Sequence, residues 1–335
     1  MVIGIGAALI DMLVDIPSDE LLKTLGYAKG SMSLVDAQEH HNILPHIEGF
    51  ACSIASGGSS ANTVNGVANL GAAAGFIGCV GVDEYGRMFK ADQEANHISS
   101  RLIEREGENT GCAMALISPD SERTFATYLG ASTSLKAEYL TPEMFDGYKV
   151  LFIEGYLLYN EVLIERAMLL AKRQGLLVAL DLASYNIVNE HKDVIKRLVA
   201  KYVDIIFANE DEARAYTDLE AEQALEQIVS QCPIAVVKLG VRGSLIARGS
   251  ERYKIGVIQE CISRDKTGAG DLYAAGFLYG LTQGLPLEVC GEIGSILSSY
   301  VVEVVGPKMG SKTWAKIREK VSDLQQRQIS GAATY

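Results

Sequence analysis

Six short apolar runs constrain this chain more than any other feature of it: 2–7 (VIGIGA), 75–80 (GFIGCV), 149–153 (KVLFI), 176–180 (LLVAL), 203–208 (VDIIFA) and 234–239 (IAVVKL). They are of strand length, and they lack the polar alternation of a strand with one wet face. Helical patterns lie between the later ones, near 160–174, 190–201, 211–230 and 271–283, with a further pair near 286–304 and 311–328. Strands apolar on both faces that alternate with helices make a mainly parallel sheet covered on both sides. The expected fold class is therefore α/β, doubly wound. With 335 residues, 48% of them hydrophobic, the chain can fill such a core.

Two stretches break the rhythm. Residues 12–50 are of mixed polarity, and 111–130 (GCAMALISPDSERTFATYLG) reads as two strands joined by a Pro-Asp-Ser turn. Together they are expected to form a small β lid inserted in a single domain spanning 1–335. The tail, 324–335, is expected to fray.

Charge and composition remove several function classes. Thirty Lys and Arg against 42 Asp and Glu give a net charge of −12, which argues against a nucleic-acid partner held through its phosphates. The six cysteines are scattered without a C-x-x-C pair, and read as small buried residues of a reducing compartment. The start MVIGIGAALIDM has no basic segment before its apolar run and reads as a core strand. No membrane span is expected, and the expected location is cytoplasmic. HHNILPH, with His40, His41 and His46, lacks companion ligands and reads as a solvated helix and loop.

The strongest chemical signal is Asp265-Lys-Thr-Gly-Ala-Gly-Asp271, followed at once by a helical stretch. Gly268, Ala269 and Gly270 let backbone N–H groups converge at a helix start, which makes an anion pocket without Lys or Arg. Asp271 would repel a phosphoryl group unless it serves as a base. A carboxylate that takes the proton of an attacking hydroxyl, beside donors that steady equatorial oxygens, suits phosphoryl transfer to an alcohol. A plain turn with Asp271 as helix cap fits the same residues. No G-x-x-x-x-G-K-[ST] occurs, and Gly4-Ile-Gly6 lacks the third glycine of a dinucleotide fingerprint.

DKTGAGD resembles the C-terminal signature of the PfkB (ribokinase-like) carbohydrate and nucleoside kinases, and three further stretches agree with it in order. Ser56-Gly-Gly-Ser-Ser-Ala-Asn62 resembles their N-terminal G-G-x-x-x-N, Asn209-Glu-Asp-Glu212 their N-x-x-E, and Lys238-Leu-Gly-Val-Arg-Gly243 their nucleotide-binding turn. The resemblance implies ATP as phosphoryl donor with Mg²⁺, bound by Asn209, Lys238, Gly240, Gly243, Ser295 and Ser299, with Glu212 reaching the metal through water. It implies an acceptor diol on Asp11 at the end of the first strand, with Gly57, Gly58 and Asn62 beside it. Asp265 matches a position that in ribokinases helps hold a monovalent cation, K⁺ here.

Several details resemble the adenosine kinases of that family. Arg123 lies where those enzymes carry a lid arginine on the transferring phosphoryl, and Tyr156 where they place apolar or aromatic groups against the base. Ala7 departs from their usual Asn, and Lys266 from the usual Thr. The resemblance therefore implies a primary hydroxyl of a nucleoside, adenosine first, as acceptor. A sugar (ribose, fructose or a keto-deoxy sugar acid) is the alternative, and a non-catalytic nucleotide-binding protein a distant one. Monomer and homodimer stay open.

Overall fold

The structure is a computed structural model that describes residues 1–120, 122–257 and 261–332. Its larger sheet has nine strands: β1 (Val2–Ile5), β5 (Ala74–Gly81), β6 (Ile98–Arg105), β9 (Val150–Glu154), β10 (Leu177–Asp181), β11 (Ile205–Asn209), β12 (Ile234–Lys238), β13 (Ser244–Arg248) and β14 (Glu251–Ile255). They are ordered β14-β13-β12-β11-β10-β9-β1-β5-β6. From β12 to β6 every pairing is parallel, and β13 and β14 close the other edge antiparallel. The fold class expected from the apolar runs is the one observed.

Alternation along these strands feeds two cores. Ile3, Ile5, Leu151, Ile153, Val178 and Leu180 face one layer of helices, α5 (Glu161–Arg173), α6 (Tyr185–Tyr202), α7 (Glu210–Thr217) and α8 (Ala221–Val229). Val2, Phe76, Phe152 and Phe207 face the other, α3 (Ser59–Asn69), α9 (Ala269–Thr282), α10 (Leu287–Val301) and α11 (Ser311–Ala332). The strand order turns back at β1, so the chain leaves a crevice at the carboxyl ends of β1 and its neighbours, where ligands of open α/β sheets bind.

A second sheet has the order β3-β8-β7-β2-β4, from β2 (Leu9–Asp15), β3 (Met32–Leu34), β4 (Cys52–Gly57), β7 (Thr110–Ile117) and β8 (Arg123–Gly130). β7 and β8 pair antiparallel, as the hairpin reading of 111–130 expects. Ser121 of its turn lies outside the described residues. One face of this sheet is sealed by α1 (Glu20–Leu25) and α2 (Ala37–Ile47), through Met12, Val14, Met114 and Leu116 against Leu22, Ile43 and Ile47. α4 (Glu84–Ala95) packs between the two sheets.

Several boundaries differ from the sequence reading. The first strand stops at Ile5, and Asp11 sits within β2 of the second sheet, not at the end of the first core strand. The stretch 211–230 is two helices, because Asp218 adopts a left-handed conformation (φ 63°) that ends α7. The expected frayed tail is helical to Ala332. No helix among the described residues is long and apolar enough to cross a membrane.

Candidate active site

The DKTGAGD loop opens α9 with Gly268 in the left-handed region (φ 77°) as its N-cap. Gly268 is required there twice over, since a Cβ would also lie 2.7 Å from Pro307 Cβ. The amides of Gly268, Gly270 and Asp271 have no hydrogen-bond partner among the described residues, and they sit at the positive end of the helix dipole. Ala269 corrects the expected trio: its N–H donates to the Lys266 carbonyl at 3.2 Å and is already used. The free amides are thus shifted one residue toward Asp271.

Asp271 is no helix cap, because the cap position is Gly268 and no side-chain cap bond forms. Its carboxylate, partly exposed, accepts from Ser59 Oγ at 2.7 Å and from Asn62 Nδ2 at 3.0 Å. Burial pushes its pKa up to about 6 against the pull of those two donors and of Lys238. A carboxylate held ionised near neutrality is suited to accept a proton.

Around it gather carboxylates from the ends of the buried strands. Glu154, which closes β9, is 1% exposed, and its two oxygens accept from Ala7 N–H and Ser60 N–H, each at 2.8 Å. It ties the exit of β1 to the start of α3, and burial raises its pKa to about 7. Asp181 closes β10 and pairs with Lys238 Nζ at 2.8 Å. Burial alone would discharge Lys238, but Asp181, Glu212 and Asp271 hold its pKa above the ordinary lysine value.

On the facing sheet Asp11 is partly exposed, and its pKa is raised to about 7 by burial against the pull of Lys308 and Arg123. Gly57 has no room for a side chain, since its Cβ would strike the Asp11 carboxylate. Gly58 (φ 95°) caps α3 and would strike the Ala7 carbonyl oxygen. Asn62 is 5% exposed, and its Oδ1 has no partner among the described residues. Tyr156, on the turn after β9, is half-buried, with its phenol pushed up by burial and by Asp271. Asp11, Gly57, Gly58, Asn62, Tyr156 and Asp271 therefore converge on one crevice.

Residues 22–314 match the family described as pfkB family carbohydrate kinase. The chain belongs to this family. An adenosine kinase of Saccharomyces cerevisiae is 27% identical over 332 residues, 92% of this chain and 96% of that protein. A 5-dehydro-2-deoxygluconokinase of Shouchella clausii is 32% identical over 285 residues, 80% of this chain and 86% of that one. Among solved structures, adenosine kinase from Sinorhizobium meliloti aligns with a TM-score of 0.87 at 33% identity, covering 95% of this chain and 98% of its own. The protein is a PfkB-family carbohydrate or nucleoside kinase.

Other expected residues of this PfkB chain are engaged differently. Arg123 is committed to the glycine loop itself: Nη2 lies 2.6 Å from Asp265 Oδ2 and Nη1 donates to Thr267 Oγ1 at 2.9 Å. Asp265 also accepts from Thr267 N–H (2.9 Å) and Gly306 N–H (2.5 Å). Its partners are donors and a guanidinium, so the charge of Asp265 is balanced from within the protein. Asn209 and Glu212 form a capping box on α7, with Asn209 N–H and Nδ2 donating to the Glu212 carboxylate, both at 2.7 Å. Glu212 is nonetheless 3% exposed beside Lys238, and burial raises its pKa to about 7.

Gly240 (φ 58°) and Gly243 (φ 87°) make the turn between β12 and β13; a Cβ on Gly243 would strike the Ile255 carbonyl oxygen, whereas Gly240 is open. Ser295 and Ser299 are each 5% exposed, and Ser295 donates to the Gly256 carbonyl at 2.9 Å. Gly294 of α10 lets that helix pack closely on α9, since a Cβ at Gly276 would lie 2.8 Å from Gly294 Cα. Sequence reasoning missed Ser59, Glu154 and Asp181 as site residues. Ser59 lay inside the quoted G-G-S-S-A-N stretch. The other two carried a legible signal, a lone carboxylate ending an apolar parallel strand.

Proposed function

We propose that this kinase transfers the γ-phosphoryl group of ATP to a primary hydroxyl of a nucleoside, adenosine first. The observation that carries the transfer is the Asp271 carboxylate standing beside three amides at the start of α9 that have no partner among the described residues. The acceptor hydroxyl loses its proton to Asp271 as its oxygen bonds to the γ-phosphorus. The bond from that phosphorus to the bridging oxygen breaks, and ADP leaves. The amides of Gly268 and Gly270 steady the equatorial oxygens. Asp11 and Asn62 Oδ1 receive the acceptor's diol.

The nucleoside reading is supported by an apolar face. Asp11 registers with Ala113, Ala113 with Thr127, and Met32 with Phe125, so alternation puts Met32, Leu34, Arg123, Phe125 and Thr127 on the Asp11 side of the second sheet. Met32 and Leu34 are 47% and 50% exposed there, which suits a flat base more than a hydroxylated sugar. A cavity of about 440 Å³ opens at this edge, lined in part by Leu34, Thr127, Leu129 and Thr133. The sugar alternative draws on the 32% identity to a 5-dehydro-2-deoxygluconokinase and on Ala7. The second sheet acts as the lid that excludes water once both substrates are in place.

Mg²⁺ fits the charge of the site. Asp181, Glu212 and Asp271 act on the ammonium of Lys238, and Glu154 adds its charge beside Asp271 and Asp181, leaving excess negative charge. Among the described residues no three carboxylate, imidazole or thiol groups are grouped to ligate an ion directly. Glu212 would therefore hold Mg²⁺ through its waters, and the ion would supply neutralisation of the phosphates. The test is ADP release across nucleosides, ribose, fructose and keto-deoxy sugar acids, with Asp271→Asn alongside. A single strong acceptor and a loss of about a hundredfold or more in the variant are expected. An Asp271→Asn enzyme with undiminished turnover would remove Asp271 from the mechanism.

A further inference from the structure

Arg123 was the expected cation for the migrating phosphoryl group, and it is spent on Asp265 and Thr267. Another cation stands at the loop. Lys238 closes β12 with 15% side-chain exposure, and a Cβ built on Gly270 would lie 3.1 Å from its Nζ. The ammonium therefore rests against the first turn of α9, at a residue whose amide has no partner among the described residues. Gly270 is thereby explained: a side chain there would press on the ammonium.

The pair that holds Lys238 is poorly explained as a stabilising device. A buried ion pair seldom exceeds in stability the apolar residues that could replace it. Asp181 also accepts from Ala183 N–H at 2.9 Å, so part of its demand is met without the lysine. Glu212 and Asp271 add to the attraction without bonding to Nζ, so the ammonium faces several carboxylates and is bonded to one. A mobile point charge with three donors can exchange that one bond for a phosphoryl oxygen.

We propose that Lys238 is a catalytic residue of the phosphoryl transfer, its ammonium binding a non-bridging oxygen of the γ-phosphoryl group, and that Asp181 is the positioning residue that holds Nζ over the loop until nucleotide arrives. The proposal rests on the kinase reading of the site. Lys238 adds no bond and removes none. It supplies charge beside the amides of Gly268 and Gly270 while Asp271 takes the hydroxyl proton, so the developing charge is met by both an ammonium and backbone donors.

The deciding experiment compares the full chain with Lys238→Met and with Lys238→Met/Asp181→Asn. The double variant removes both partners of the buried pair and keeps the protein foldable where the single one leaves Asp181 uncompensated. Binding of the non-hydrolysable analogue adenylyl imidodiphosphate and of ADP, each with Mg²⁺, is measured by calorimetry, and turnover is measured with the best acceptor of the panel. The expected result is a loss of about tenfold or more in affinity for the analogue with ADP affinity unchanged, and a kcat lower by about a hundredfold with acceptor KM within threefold. Asp181→Asn alone is expected to raise the KM for ATP more than it lowers kcat. A double variant that prefers the analogue over ADP as strongly as the parent overturns the proposal. If no acceptor is turned over yet the analogue preference depends on Lys238, the acceptor reading falls and the lysine's role stands.

Discussion

The Arg123 guanidinium lies 2.6 Å from the Asp265 carboxylate, so a strand of the second sheet is fastened directly to the loop that opens α9. Arg123 is half-buried and Asp265 buried, at 13% and 2% side-chain exposure. The ion pair couples the position of the facing sheet to the anion pocket. It also neutralises the Asp265 carboxylate.

Asp265→Ala should therefore destabilise the protein by about 3–5 kcal/mol, since it leaves a buried guanidinium and two amides without their acceptor. The measurement is denaturant unfolding. Exchange of K⁺ for Na⁺ at constant ionic strength should leave the turnover of the parent enzyme within about twofold, because Arg123 already compensates the charge.

The acid limb of activity should report Asp271. Its folded pKa is raised to about 6, and the base must be ionised to work. The rate is present above that value and lost as pH falls through it, about tenfold per pH unit once below it. A pH profile of kcat/KM with its acid midpoint near 4 would contradict this.

Acceptor choice should follow the apolar face. Met32→Ser with Leu34→Ser, both on exposed positions, should raise the KM for a nucleoside by about tenfold and leave a sugar's nearly unchanged. Steady-state kinetics with both acceptors decides it, and equal effects would return the preference to sugars.

Gly58→Ala should cost about 1–3 kcal/mol for its left-handed backbone alone, and more from its clash with the Ala7 carbonyl. The melting temperature should fall, and acceptor KM should rise because Ser59 and Asn62, on the displaced start of α3, hold the Asp271 carboxylate. Thermal melts and kinetics on one preparation test both parts.

Asn209→Ala should cost about 1–2 kcal/mol by opening the capping box on α7, since it removes the Nδ2 donor to the buried Glu212 carboxylate and the Oδ1 acceptor of the Glu212 N–H while keeping the backbone donor at 209. Thermal unfolding is the readout. A loss of activity much greater than the loss of stability would instead point to Asn209 acting on the phosphates or their metal.

Periodicity and local chemistry made the α/β class, the β7–β8 hairpin and the glycine loop legible, because a strand buried on both faces and a helix start without side chains leave their marks within a few residues. What sequence could not supply was partner choice across the fold. Arg123 and Asp265 are separated by 142 residues, and Lys238 and Asp181 by 57, and nothing local says whether such a charge meets a ligand or another side chain. Ala269 lost its expected role to a turn bond, and Ser295 is bonded to the Gly256 carbonyl, for the same reason. The chain by itself determined which elements form and which loop can bind an anion, since those follow from short-range backbone and burial preferences. Only the tertiary structure decided which buried charges neutralise one another and which stay available, because that depends on distances between strands remote in sequence.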